Sequence, residues 1–373
     1  MVFMQVFIAC SSAMKKPILD GRLDTMSRSS ENFVQKIWYG ESSLYWLLLP
    51  LTWLYTAVVA GRRYLYTTGL LSSESMPVPV IIVGNMTVGG TGKTPLAIWL
   101  VTRLKEKGFQ PGIVSRGYRG KVGSIPVKAT QESDPDIVGD EAVLMAKRGN
   151  CPVVVHPDRV AAALTLIELG VDVIVADDGL QHFRLARDFE IVVIDGTRGF
   201  GNGRLLPAGP LREPISRLKT VDEVLVQQYS DDHAEYLRRA ADWHPAKFDL
   251  IATSIRKLDD SNVMQIEMFA GKTVHAVAGI GNPERFFRLL ESHDMTVIRH
   301  PLADHAEIMQ SDLTFDDDLD VVMTEKDAVK CMSWLDTSHC WYVPVDINFR
   351  DSAGDALLET LLEKISRRKY KRS

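Results

Sequence analysis

The segment PVPVIIVGNMTVGGTGKTP, residues 77 to 95, constrains the fold of this chain more than any other stretch. A run of branched apolar residues enters a glycine-rich turn, then Lys93 and Thr94, then a helical pattern. A strand, loop and helix in that order build a cradle for nucleotide phosphates, because the helix start leaves backbone N–H groups facing the loop. The loop runs through Thr87, Val88, Gly89, Gly90, Thr91 and Gly92. Thr87 stands where the general phosphate-loop pattern has glycine, but the rest, GGTGKT, is intact. Gly89, Gly90 and Gly92 let the N–H groups turn toward an anion without side chains in the way. Lys93 supplies a mobile cation for the outer phosphates, and the Thr94 hydroxyl is placed to ligate Mg²⁺.

Beyond this unit, apolar strands alternate with amphipathic helices. Helical patterns cover about 95–107, 139–148 and 157–169, and strands are expected at 111–115, 152–155, 171–179 and 190–196. Continuous Val/Ile runs mark strands buried on both faces, so the fold class is α/β, a P-loop-type three-layer α/β/α core with a mainly parallel sheet. The second half repeats the theme on a smaller scale, as a second α/β domain. A connecting strand is expected at 249–255, strand–turn–helix at 275–292, another strand end carrying Thr324, Glu325, Lys326 and Asp327 within 321–330, a strand at 341–345, and a terminal helix over 353–366. The expected division is an extension at 1–30, an apolar helical segment at 31–70, a nucleotide domain at 71–245 and the second domain at 246–373. GIGNPE at 279–284 lacks the third glycine of a dinucleotide fingerprint, so no second nucleotide site is read there.

The stretch LYWLLLPLTWLYTAVVA, residues 44 to 60, carries no charge and is followed by Arg62 and Arg63. Its length is at the short end for a spanning helix, and its aromatics suit a membrane interface. It reads as a membrane anchor, with the body on the side where the arginines and the nucleotide are. The four cysteines form no C-x-x-C pair, which argues against structural zinc and a disulfide framework. A formal net charge of -5 provides no overall cationic field for nucleic acid, and nothing points to a protein partner.

The remaining polar residues narrow the chemistry. Lys93, Arg116, Asp177, Asp178 and Asp195 all fall at the C-terminal ends of expected strands, where one cleft collects them. Asp177 or Asp178 takes the place of the Mg²⁺-orienting carboxylate, and the sequence does not separate the two. Gln181 and His182 follow directly. Residues 197 to 217 form a Gly/Pro/Arg segment with Arg198, Arg204, Arg212 and Arg217, read as a cationic lid. Transfer of a phosphoryl group to an alcohol also needs an acceptor for the hydroxyl proton. Two pairs qualify: Asp140 with Glu141 at a helix start, and Asp304 with His305.

Taken in order, IWYG (37–40), LLLPLTWLY, VIIVGNMTVGGTGKTP, SRGYRG (115–120), VGDEAVLMA (138–146), ADDGLQH (176–182), GNGRLLPAGPLREP (201–214), AGIGNPERFF (278–287), LADHAEI (302–308) and MTEKDAV (323–329) resemble the tetraacyldisaccharide 4'-kinases of lipid A biosynthesis in Gram-negative bacteria. The resemblance runs from about residue 31 to 349, and Thr87 is how that family writes the loop. It implies two α/β/α domains joined by a hinge, at the cytoplasmic face of the inner membrane. ATP with Mg²⁺ would phosphorylate the 4'-hydroxyl of a tetraacylated glucosamine disaccharide 1-phosphate to give lipid IVA. It also implies that Asp140 and His305 activate the hydroxyl and that Glu141 assists the metal. Arg116, Gln181, His182, Arg204 and Arg212 are the expected substrate or lid residues. The alternative reading is a membrane-linked P-loop ATPase or GTPase switch without a lipid acceptor, for which TEKD at 324–327 resembles a guanine-reading motif with Glu325 in the lysine position.

Overall fold

Val80–Asn85, whose first five residues carry no polar side chain, forms β1, the central strand of the larger sheet. The computed structural model describes residues 34–40, 42–118, 120–227, 245–304, 306–332, 334 and 338–372. His305 and the extension at 1–30 lie outside the described residues. Both neighbours of β1 are parallel to it: β5 (Val173–Asp177) on one side and β6 (Phe189–Asp195) on the other. In that register Val83 lies beside Asp177, and Asn85 beside Val193. The phosphate loop therefore leaves the sheet at the same edge as Asp177, Asp178 and Asp195.

The sheet extends to nine strands. Beyond β5 come β2 (Pro111–Ser115), β4 (Val153–Val155) and β3 (Val127–Ala129); beyond β6 come β7 (Glu223–Gln227), β8 (Ala246–Ile251) and β15 (Asp346–Phe349). Only the outer pairs, β3 with β4 and β15 with β8, are antiparallel. One face is covered by α2 (Lys93–Glu106), α4 (Asp140–Gly149) and α8 (Ala353–Arg372), which bury Leu96, Leu100, Met145, Leu357 and Leu361 against it. The short α3 (Pro135–Val138) leads into α4. The other face packs on α5 (Arg159–Glu168) and on the 200–218 region through Phe200, Leu205, Leu211 and Leu218. Buried Val, Ile and Leu on both sides of one sheet supply most of the folding free energy, at about 25 cal/mol per Å² of apolar surface removed from water.

The smaller sheet has six strands, ordered β10 (Val263–Gln265), β9 (Ser254–Lys257), β14 (Cys340–Val343), β13 (Val321–Thr324), β11 (Thr273–Ala278) and β12 (Thr296–Pro301). α6 (Pro283–Glu291) and α7 (Glu325–Cys331) follow β11 and β13. The parallel strands β11, β12 and β13 end at one edge, so the loops at 279–282, 302–304 and 324–325 gather there.

Two expectations shift. The division at 245/246 does not follow the sheets, because β8, β15 and α8 return to the larger one. The physical cause is α8: its leucines complete the same apolar layer as Phe189 and Leu225 of the nucleotide sheet. The single strand expected at 249–255 is two strands, β8 in one sheet and β9 in the other. The apolar N-terminal segment forms α1 (Tyr45–Thr67), with Pro50 inside it. No helix among the described residues is long and apolar enough to cross a membrane. One face of α1 is committed to protein instead: Leu49 and Thr52 are buried, Tyr55 Oη donates to Arg212 O at 3.0 Å, and Ala208 N donates to Thr52 Oγ1 at 3.1 Å. Its other face leaves Leu47, Leu51, Leu54, Val58 and Leu65 exposed.

Candidate active site

The phosphate loop is braced by the 197–217 segment, the expected lid, that follows β6. Val88 N donates to Pro210 O at 3.0 Å, Arg212 N donates to Met86 O at 2.7 Å, and Thr87 bridges Leu211. Thr87 is thus a buried pairing residue, which explains why a glycine is not needed there. Asn85 Nδ2 closes the base of the loop on Gly89 O at 3.1 Å. Gly92 adopts φ 83° directly before Lys93, and Gly89 φ 116°, conformations that side chains disfavour. A Cβ placed on Gly90 meets nothing within 4 Å, so the loop faces open space at that point.

At the loop's open edge stands a cluster of alternating charge. Lys93 Nζ lies 3.6 Å from Asp178 Oδ1, and Arg212 Nη1 grips both Asp178 oxygens at 3.0 and 2.9 Å. Burial pushes the Asp178 carboxyl up, but Arg212 and Lys93 outweigh it and hold the group well below the usual range. Asp178 is therefore an anchored anion, with φ 48° that places its carboxylate against the lid. Asp177, two per cent exposed, behaves oppositely: burial first, then Glu141, push its carboxyl up to about 7 against the pull of Lys93. Its Oδ1 is buried with no hydrogen-bond partner. Arg159 lies beneath both, its Nη2 donating to Asp177 O at 2.9 Å and Asp178 O at 3.1 Å, and burial lowers its pKa to about 10.

Asp140 and Glu141 open α4, where a helix start favours carboxylates. Asp140 is buried, and its Oδ1 accepts from Glu141 N at 2.8 Å. Both face the smaller sheet. Lys326 Nζ reaches Glu141 Oε1 at 2.8 Å, and Lys330 Nζ lies 3.9 Å from Asp140 Oδ2 while binding Asp327 Oδ1 at 3.0 Å. Burial pushes the Lys326 ammonium down, but Glu141, Asp140 and Asp304 outweigh it and hold its pKa above the ordinary lysine value. Asp327 is fully buried and accepts from Gly279 N at 2.8 Å and Thr324 Oγ1 at 2.7 Å, fixing the loop ends of β11 and β13 together. Ala306 O accepts from Lys330 at 3.1 Å, which ties the chain after His305 to this same group.

The other expected residues divide. Gln181 Nε2 donates to Glu213 Oε1 at 2.9 Å and so holds the 197–217 segment. His182 has its pKa lowered to about 4, by burial first and Arg159 next, and its Nε2 is buried without a partner. Burial thus keeps it neutral near pH 7. Arg116 is exposed at the end of β2. Arg204 does not enter the cluster: its guanidinium stacks on Tyr45 and Trp46 of α1, at 4.3 and 5.6 Å from the ring centroids. Of the remaining lid arginines, Arg217 is buried on Glu190 and Glu213, and Arg198 Nη2 donates to Gly281 O at 2.9 Å. The meeting of Lys326 and Lys330 with Glu141 and Asp140 escaped the sequence reading. TEKDAVK at a strand end was the available signal for the lysines, but Glu141, the partner of Lys326, is 185 residues away in the chain.

The set fits a magnesium nucleotide. Among the described residues no three His, Cys, Asp or Glu side chains form a metal cage by themselves. Mg²⁺ sites of nucleotide enzymes take one or two carboxylates and fill the rest with phosphate oxygens and water. The unpartnered Asp177 Oδ1, close enough to Lys93 to feel its charge, would supply such a carboxylate.

Comparison with known proteins gives one consistent result. A family model described as tetraacyldisaccharide-1-P 4'-kinase matches residues 44–365. A tetraacyldisaccharide 4'-kinase of Nitrosococcus oceani is 43% identical over 341 residues, 91% of this chain and 96% of that protein. Another, of Alkalilimnicola ehrlichii, is 49% identical over 299 residues, 80% of this chain and 87% of that protein. The crystal structure of LpxK from Aquifex aeolicus in complex with ATP superposes with a TM-score of 0.72 at 27% identity, covering 86% of this chain and 99% of that one.

Proposed function

The chain belongs to the tetraacyldisaccharide-1-P 4'-kinase family, and on that premise we propose that its cleft transfers the γ-phosphoryl group of ATP to the 4'-hydroxyl of a tetraacylated disaccharide 1-phosphate, giving lipid IVA. The observation that carries this reading is the meeting of two carboxylate pairs over one phosphate loop: Asp177 and Asp178 beside Lys93, and Asp140 and Glu141 facing the second lobe. A switch needs the first pair alone. An acceptor hydroxyl needs a second, positioned group to take its proton.

In this reading the loop 87–92 cradles the phosphates and Lys93 follows the outer ones. Thr94 and Asp177, with Glu141 assisting, would hold Mg²⁺, which when bound neutralises charge on the transferring group. Arg212 does not leave Asp178; it keeps that carboxylate fixed so that Lys93 has one resting partner. Asp140 accepts the 4'-hydroxyl proton, with His305 as its partner from the second lobe. The lobe excludes water, which would otherwise take the phosphoryl group. In-line placement supplies most of the rate, and the base adds about 10²- to 10⁴-fold.

The same reading lets α1 lie in the membrane interface on the cytoplasmic side, its exposed Leu/Val/Trp face toward lipid and Arg204 held on Tyr45 and Trp46 at the rim. Residues 31–70 then form the lipid-facing segment, and the two sheets the two bodies that close on ATP and sugar.

The test is transfer of labelled phosphate from ATP to detergent-dispersed disaccharide 1-phosphate by wild type, Lys93→Ala, Asp140→Ala and His305→Ala. A labelled bisphosphorylated lipid that all three variants make far more slowly is the expected result. ATP turnover without a lipid product would sink the reading in favour of a switch.

A further inference from the structure

Arg285, at the start of α6 in the smaller lobe, reaches across to the larger one. Its Nη2 lies 2.5 Å from Asp195 Oδ2 and its Nη1 donates to Gln227 Oε1 at 2.8 Å. These acceptors end adjacent strands, β6 and β7, at the edge where the phosphate loop leaves the sheet. Both are nearly inaccessible, so the guanidinium is inserted into a prepared slot rather than laid on a surface.

Each acceptor leads to a different part of the site. Gln227 Oε1 abuts Gly92, where an added Cβ would come within 3.0 Å of it. Asp195 Oδ1 accepts from Thr197 N at 2.9 Å and Arg198 N at 3.1 Å, forming the first turn of the lid. Arg198 in turn donates to Gly281 O, four residues before Arg285. Gly281 rests on the phosphate loop: a Cβ there would lie 3.3 Å from Gly90 N. The contacts make a circuit that begins and ends on the phosphate loop and enters the smaller lobe twice, through Arg285 and through Gly281.

We propose that Arg285 is a positioning residue that couples lobe closure to the seating of the lid and the phosphate loop. The inference rests on the kinase reading above. When the small lobe is docked, one guanidinium neutralises the buried Asp195 carboxylate, sets the lid's first turn and fixes the amide that backs Gly92. When the lobe swings away, all three supports leave together, and water reaches Asp195. A lysine at this position delivers one bond at a time and cannot span both acceptors in a fixed plane.

The experiment compares wild type with Arg285→Ala, Arg285→Lys and Asp195→Asn. It measures the Kd for ATP without lipid, kcat for lipid phosphorylation, and ATP hydrolysed per lipid phosphorylated. For Arg285→Ala the expected result is a kcat lowered about 10- to 100-fold, as small misplacements of reacting groups produce. The ATP Kd stays near wild type, more ATP is hydrolysed per product, and the radius of gyration in solution is larger. Arg285→Lys restores part of kcat. Asp195→Asn, which keeps an acceptor for the lid turn but removes the charge, shows the same split and decides the matter if Arg285→Ala does not fold. Unchanged kcat and hydrolysis ratio in both Arg285→Ala and Asp195→Asn would overturn the proposal. So would ATP affinity and kcat falling in step with thermal stability. Wild type making no phosphorylated lipid would overturn the kinase reading instead.

Discussion

The ammonium of Lys326, carried on the first turn of a helix in the small lobe, sits 2.8 Å from the Glu141 carboxylate at the start of a helix in the large one. A cation in the first turn of a helix opposes the helix dipole, so its place is set by the acidic wall it meets and not by its own helix. The contact joins a carboxylate that the family resemblance assigns to the metal with the smaller lobe.

Lys326→Ala leaves Glu141 without this partner in a largely covered interface. The expected loss of folding stability is about 1–2 kcal/mol, the scale of one charge-assisted hydrogen bond. Lys326→Arg should retain part of it. Denaturant unfolding of the three proteins at one salt concentration measures the difference; equal midpoints would show that the pair contributes nothing.

The raised pKa of Asp177, about 7, has a definite sign. Between about pH 4 and pH 7 the folded state keeps a proton that the unfolded chain has released, so this group's contribution to stability falls as pH rises through that window and is level above it. Metal coordination needs the carboxylate, so stabilisation by magnesium ATP should grow as pH rises toward 7. Melting temperature with and without magnesium ATP from pH 5.5 to 8.5 follows this directly. The trend should be absent in Asp177→Asn.

His182 runs the other way. Its pKa, lowered to about 4 by burial, keeps it neutral in the fold while an unfolded histidine protonates near 6.5. Its stability contribution is complete above about pH 6.5 and is lost as pH falls toward 4. Unfolding free energies of wild type and His182→Gln should converge over that range. Activity should show no limb from this residue near neutral pH.

Gly92 and Gly90 separate backbone strain from ligand space. Gly92→Ala forces a side chain into the left-handed region and against Gln227 Oε1, costing about 1–2 kcal/mol of stability. Gly90→Ala meets open space and should fold normally while binding ATP poorly. Unfolding and ATP titration on the same samples check both; a stable Gly92→Ala would refute the strain argument.

The exposed stripe Leu47, Leu51, Leu54, Val58 of α1 repeats at helical spacing. The double variant Leu47→Ser/Leu54→Ser should lose co-flotation with anionic vesicles while phosphorylating detergent-dispersed substrate at close to the normal rate. Undiminished flotation would move the membrane contact elsewhere on the chain.

Much of this was legible locally. Val80–Asn85, the glycines before Lys93 and the Asp177–Asp178 strand end each encode their own conformation within a few residues, because strand burial, left-handed turns and helix starts are short-range effects. The α/β class and the phosphate loop therefore followed from the sequence alone. Opposite protonation behaviour for Asp177 and Asp178 did not, since it depends on Arg212, 34 residues on from Asp178, gripping one carboxylate while the other is buried without such a partner. Nor did the return of α8 to the first sheet, the pairing of Lys326 with Glu141 or the bridge from Arg285 to Asp195. Those are meetings of residues far apart in the chain, and only tertiary packing, such as that of α7 on α4, brings them within the few ångströms over which charge and hydrogen bonding act.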